Sequence, residues 1–288
     1  MASRALGEPL TSSGLVADGL IGIVPHFILF LMLVGLWEAA VHIGLITSII
    51  IPKPSAVFVA IIDLYLIEGT IYQHFFITLA EAVLGFLAGA AIAVTLAVCS
   101  SLSEPFKRYV SPYAVVLNVT PGIALTPIII AWFGYGMGSK IALAAVISFF
   151  PIFVNTLTGL TQNDADREEL FRSLGASHHQ VFRHLRVPSA LPLLFAGLKI
   201  GLTTALIGAV VAEFTHATSG VGVLMSRFSF QLDMASSIAT LLSMTLIGLL
   251  LFYIMEFLDD RIVFWRRDER MAARSKRKAQ AWRARLGG

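Results

Sequence analysis

Charge is scarce in this sequence. Asp, Glu, Lys and Arg make up 14% of its 288 residues, against about a quarter in a soluble domain, and that shortage excludes an ordinary water-soluble globule. Cysteine is scarcer still. The single Cys99 excludes an internal disulfide and a cysteine-based zinc site, and its position suits small apolar filler at the end of a span. Catalytic signatures are missing as well: there is no HExxH, no serine-nucleophile motif and no dense polar cluster. The glycine-rich "GYGMGSK" lacks the order of a phosphate-binding loop and reads as a turn. The chain therefore has no catalytic residue and no nucleotide site of its own.

Apolar length is what the sequence has. Hydrophobic residues form 57% of it and the mean hydropathy is +0.81. An apolar run of roughly 20 residues spans a bilayer as a helix, and six such runs can be read, at about 25–46, 75–100, 109–134, 140–160, 190–214 and 237–258. The first is too long for a signal-peptide core and no small-residue cleavage site follows it. The expected architecture is an all-α, polytopic membrane protein of about six transmembrane helices. A cytoplasmic N-terminus puts 17 of the 21 Lys and Arg residues on the cytoplasmic side, as the positive-inside rule requires. The chain then divides into a cytoplasmic tail over 1–24, a transmembrane domain over 25–258 and a basic cytoplasmic tail over 259–288. That last tail reads as a topology anchor touching anionic lipid rather than a nucleic-acid site.

Polar groups inside the spans are the next signal, because lipid makes them costly. Glu38 and Glu213 lie near span ends, where a structural or interfacial role suits them; Glu81, with a long apolar run after it, is the better pathway candidate. The third run holds Pro112, Pro121, Pro127 and Asn118. Prolines remove backbone hydrogen bonds, and in a membrane such breaks persist where protein or a water-filled cavity satisfies the freed groups. This run either lines something or is a kinked structural helix. The segment 47–73 opens on "IPKPSAVF", whose prolines disfavour helix, and continues as an amphipathic stretch. Small residues in "GFLAGAAIAV" and "GLKIGLTTALIGAVVAEF" predict close helix packing, within a bundle or a dimer.

One polar interruption stands apart, the stretch from Arg167 to Pro192. "LFRSL" and "VFRHL" repeat one pattern, each giving a single apolar stripe on a short helix. Gly175 is placed to end the first helix, and Ser177 with Gln180 forms a capping-box signature for the second. Asp166 with Glu169 repeats that signature at the start of the first helix, and Pro188 is expected to close the second. Arg172 is placed to pair with Glu168 and Glu169. The histidines His178, His179 and His184 lack the i, i+3 or i+4 spacing of ligands on one helical face, so no metal site is expected.

This segment resembles the cytoplasmic EAA loop of permease subunits of bacterial ABC importers. The pattern runs Glu169-Leu170-Phe171, three residues, Gly175, nine residues, then Leu185-Arg186-Val187-Pro188, with Leu and Phe where the family has alanines. The resemblance covers about Trp37 to Trp265. "LWE", "IPKPSAVF", "TPIIIAWFGYGMGSK", "FFPIFVNTLTGL", "LFRSLGAS", "VPSALPLLFAGLKIG" and "GAVVAEFTHATSGVGVLM" look like the nitrate/sulfonate/taurine branch, with Glu81 in "TLAEAVLGF" closer to thiamine-precursor pyrimidine and riboflavin permeases.

The resemblance implies a type I importer bundle in the bacterial inner membrane, with both termini cytoplasmic. It implies two ATPase subunits below, which supply ATP and Mg, a second permease copy as a homodimer partner, and a substrate-binding protein outside. By the same resemblance, the segment 164–189 couples to the ATPase through Glu169, Leu170, Phe171, Gly175, Ala176, Ser177 and Pro188. Glu169 also has a purely capping reading. The pathway for a small organic solute, of pyrimidine, flavin or sulfonate kind, would involve Glu81, Asn118, Pro121, Trp132 and Glu213. The rivals are a stand-alone secondary transporter, which would need an inverted repeat or paired acidic relays, and an integral-membrane enzyme.

Overall fold

A computed structural model describes residues 12–162 and 165–265, with side chains from residue 25 onward except His216. Every regular element among the described residues is helical. The helices are α1 (Ser12–His42), α2 (Pro54–Ile62), α3 (Thr70–Leu102), α4 (Glu104–Val119), α5 (Gly122–Phe133), α6 (Met137–Thr161), α7 (Ala165–Ser173), α8 (His178–Val181), α9 (Val187–His216), α10 (Val221–Phe230) and α11 (Met234–Ile262).

Five helices are long and apolar enough to cross a membrane, and the bent pair α4–α5 makes a sixth span if counted as one. Three of them, α3, α6 and α9, pack most extensively against one another and form the centre. The predicted small residues sit in these seams, so the close packing is within the bundle. A Cβ at Gly89 would come within 2.6 Å of the Ala145 carbonyl oxygen, and only glycine permits that approach. Around the centre, α10 and α2 lie against α11. By contrast, α1 is almost wholly exposed, with 6% of Pro25–His42 buried. It is tied to the start of α2 by Glu38, whose carboxylate accepts from the amide and hydroxyl of Ser55 at 3.1 and 2.8 Å, and by His42 Nδ1, 3.2 Å from Lys53 Nζ.

Several expectations are corrected. The third run is not one continuous helix: α4 and α5 meet at 104° across Thr120 and Pro121. Pro112 and Pro127 stay inside helices, so of the three prolines only Pro121 breaks the chain. Pro54 starts α2, where its missing N–H has no helical partner to lose. Lys140 is inside α6 and 5% exposed. The N-terminal tail is helical from Ser12, and its residues 1–11 lie outside the described residues, as do residues 266–288 of the basic tail.

Pro188 does not close the second short helix. A π-helical turn, Phe182–Arg186, joins α8 directly to α9, and Pro188 sits in the first turn of α9. Proline has no N–H for the usual i−4 carbonyl, and a locally widened turn lets the helix run on. Asp166 is inside the first turn of α7 rather than before it, so the first capping box is not formed by that residue.

Candidate functional site

Among the described residues the polar groups gather in the segment between α6 and α9, around a cavity halfway along the bundle, and in two buried ion clusters.

The segment is built as its sequence dictates. Gly175 ends α7 at φ +80°, while its amide donates to Arg172 O (2.9 Å) and the Ala176 amide to Phe171 O (3.0 Å). This pair of bonds closes the helix end with a left-handed residue, a conformation costly for side chains other than glycine's. Ser177 then caps α8: its hydroxyl accepts from the Gln180 amide, and the Gln180 side chain accepts from the Ser177 amide at 2.7 Å. Val181 and Leu185 are buried against the bundle, whereas Leu170 and Leu174 are 57% and 78% exposed. These two lie four apart on one face. Phe171 and Ala176 are half-buried, and Glu169 is exposed.

Arg172 pairs with Glu168 alone, at 2.7 Å, and a second guanidinium joins it. Arg186 donates to both Glu168 oxygens, at 3.0 and 3.1 Å. Hydrogen bonding from Arg172 first, and then from Arg186, outweighs partial burial and holds the Glu168 carboxyl below its usual range. The clasp fixes α7 to the base of α9.

The cavity has a volume of about 550 Å³ and lies between the α4–α5 break, the middle of α6 and the middle of α9. Asn118, Thr120, Asn155 and Thr204 supply its polar atoms; Leu117, Phe150, Ile207 and Val211 are among its apolar walls. Of the sequence candidates, Asn118 lines it and Pro121 makes the break beside it. Trp132 is 76% exposed on α5 and does not line it.

Glu81 and Glu213 are brought together elsewhere, at the end of the bundle away from α7. Glu81 is fully buried and accepts from Lys140 Nζ at 2.7 Å; Lys140 also donates to Ser219 O at 3.0 Å. Glu213 accepts from the Thr78 hydroxyl (2.5 Å) and the Gly222 amide (2.6 Å), and the Val221 amide donates to Thr78 Oγ1 (2.8 Å). These bonds tie α3, α6 and α9 to the turn before α10. A second ion cluster, Lys199 with Glu256 and Asp259 (2.6 Å to Asp259), joins α9 to α11 nearer α7.

Lys140, Asn155 and Thr204 were missed in the sequence. A signal existed for Lys140: it begins one span at the depth where Glu81 opens another and Glu213 closes a third. Asn155 is the only side-chain amide within α6, which made it findable on the same reasoning as Asn118.

Residues 83–264 match the family described as "Binding-protein-dependent transport system inner membrane component". The chain is 35% identical over 241 residues to the formylaminopyrimidine transport permease ThiX of Halalkalibacterium halodurans, covering 83% of this chain and 95% of that one. It is 31% identical over 235 residues to the riboflavin transport system permease RibX of Chloroflexus aurantiacus, covering 82% and 87%. To the aliphatic sulfonates transport permease SsuC of Bacillus subtilis, named there as putative, it is 29% identical over 235 residues, covering 82% and 85%. Among solved structures, a chain of the MetNI methionine ABC transporter in inward-facing conformations superposes with a TM-score of 0.57 at 20% identity, covering 68% of this chain and 95% of that one. At that identity the likeness concerns the fold.

Proposed function

We propose, for a chain that belongs to the family of binding-protein-dependent transport system inner membrane components, that α7 and the capped turn after it are the handle by which a separate ATPase moves the bundle. The chain is a permease subunit of an ABC importer, a multi-pass membrane protein. The mechanical role of its parts is our reading.

The observation that carries it is the exposure of Leu170 and Leu174 on a helix clasped to α9 by Glu168. Two leucines four apart, set against water outside the long apolar helices, are what a partner would bury. A docked ATPase would pull on α7 and, through the Glu168–Arg186 bonds and the unbroken turn into Pro188, rotate α9. Because α9 lines the cavity, the pull would reach the pathway. In this arrangement α7 is cytoplasmic, both termini lie on that side, and the Glu81 and Glu213 network lies toward a substrate-binding protein outside. ATP and Mg would be held by two ATPase subunits. A second copy of the permease would close the open side of the cavity, where Leu117 and Ile123 are exposed. The cargo would be a small organic solute of the pyrimidine, flavin or sulfonate kind named for the relatives.

The test is cross-linking from Leu174→Cys in a Cys99→Ala background, after gentle extraction from the native membrane. An ATPase subunit joined to residue 174 supports the handle. Recovery of the chain with no ATPase, cross-linked or not, overturns it, and the secondary-transporter reading then leads.

A further inference from the structure

Beyond the cavity, the space between α5, α6 and α9 nearly closes. Further along the same helices, away from α7, Thr126 and Ile129 of α5, Lys140 of α6 and Ala212 of α9 enclose only about 10 Å³. That is about the least that holds one water. A solute lodged in the cavity of about 550 Å³ cannot continue that way unless one wall moves.

Two of the three walls form one block. A Cβ at Gly208 of α9 would come within 2.8 Å of Ala144 Cα on α6, and one at Gly197 within 3.0 Å of Pro151 O. Backbones already in contact cannot part without opening a void. At the narrow end Lys140 is fixed by Glu81 and by Ser219 O. The turn behind it is held residue by residue: the Gly220 amide donates to His74 Nδ1 (2.9 Å), the Val221 amide to Thr78 Oγ1 (2.8 Å) and the Gly222 amide to Glu213 (2.6 Å). A pull on α7 therefore turns α6 and α9 together.

The third wall, α5, is held differently. No backbone hydrogen bond crosses from α4 into it: the Thr120 amide donates back to Val116 O (3.1 Å), Pro121 has no N–H, and the Ala124 amide donates to Pro121 O (2.9 Å). At its other end Gly134 sits at φ +76°, and a Cβ at Gly134 or Gly136 would meet nothing within 4 Å, so the chain has room to turn. Neither polar side chain of α5 ties it down. Trp132 is 76% exposed, and Thr126, 2% exposed, buries a hydroxyl with no partner among the described residues. Leaving the wall would relieve that cost. What seats the helix is Ile129, packed with Leu143 and Ala212. Resting on the permease reading, we propose that α5 is the moving leaf of a gate at the end of the pathway away from α7. It swings between joints at Thr120–Pro121 and Gly134–Gly136, and opens by lifting Thr126 and Ile129 off the block of α6 and α9.

The experiment reads the movement as thiol access. Thr126→Cys and, separately, Ile129→Cys are placed on the leaf in a Cys99→Ala background. Ile152→Cys, at a position 0% exposed within the block, is the fixed reference. The full transporter, extracted with its partners into lipid nanodiscs, is alkylated with a water-soluble maleimide, before and after trapping with ATP, Mg and vanadate. The rate follows the fraction of time a buried thiol is open to water, so trapping should raise it at 126 and 129 by at least about tenfold and leave it unchanged at 152. The two leaf positions are independent, and a variant that does not assemble leaves the other to decide. No rise at the leaf, or an equal rise at 152, overturns the proposal. Vanadate trapping reports on the permease reading separately: a trapped ATPase with a silent leaf sinks only the gate, and a chain that recovers no ATPase sinks the reading beneath it.

Discussion

Glu168 holds Arg186 through both carboxylate oxygens, at 3.0 and 3.1 Å, across 18 residues of chain. Both bonds come from one guanidinium nitrogen, Nη2, so the contact is a charge-assisted tether between α7 and the base of α9 rather than a two-nitrogen fork.

This clasp predicts a pH dependence. The folded Glu168 carboxyl titrates below its unfolded value, so its contribution is fully present above the ordinary carboxylate range and is lost as pH falls through the lower folded value. The protection factor of the amides over 165–173, taken against the intrinsic exchange rate at each pH, should be steady from pH 7 to about 5 and fall below about pH 4. Glu168→Gln should lower it already at pH 7, by about fivefold for roughly 1 kcal/mol of local opening. Protection unaffected by the substitution would show that the clasp does not hold α7.

Leu170→Asp with Leu174→Asp should leave insertion and thermal unfolding within about 0.5 kcal/mol of the parent, since both side chains are mostly exposed. ATPase recovery in a pull-down should fall at least about tenfold, because two apolar anchors are lost and charges enter their place. Undiminished recovery would move the docking surface elsewhere.

The Glu81–Lys140 pair is a stability element that a double-mutant cycle resolves. Glu81→Leu alone strands a buried ammonium and should cost about 3–5 kcal/mol, whereas Glu81→Leu with Lys140→Met should recover most of it. Uptake by the double variant discriminates the roles. Normal uptake makes the pair purely structural; lost uptake in a protein of parental Tm puts Glu81 on the pathway.

Gly89→Val should destabilise by about 1–3 kcal/mol or more through overpacking of α3 on α6, where the added carbon would press on the Ala145 backbone. Gly35→Ala is the control. It has nothing within 4 Å and should change the unfolding midpoint little. Equal effects at the two sites would contradict the seam.

Much of the segment between α6 and α9 was legible because its signals are local. The αL glycine, the Ser177–Gln180 box and the Arg172–Glu168 pair all connect residues within one or two turns, so spacing alone finds them. Arg186 was invisible as a partner for Glu168, because nothing in the spacing says that the chain doubles back. The closure at Pro188 failed for a related reason: proline forbids one hydrogen bond, and a π-helical turn is an answer to that loss which propensity does not anticipate.

The sequence by itself determined the membrane class, the number of apolar runs, the family resemblance and the places where polar groups interrupt oil. Those follow from hydropathy, length and short-range stereochemistry, which need no knowledge of neighbours. Tertiary structure alone decided which polar groups meet. Glu81 found Lys140 across 59 residues, Glu213 found Thr78 across 135, and Asn118 came to share a cavity with Asn155 and Thr204. A buried charge or donor must be satisfied, and that requirement says a partner exists. Which one it is depends on how the helices pack, and only the folded bundle sets that.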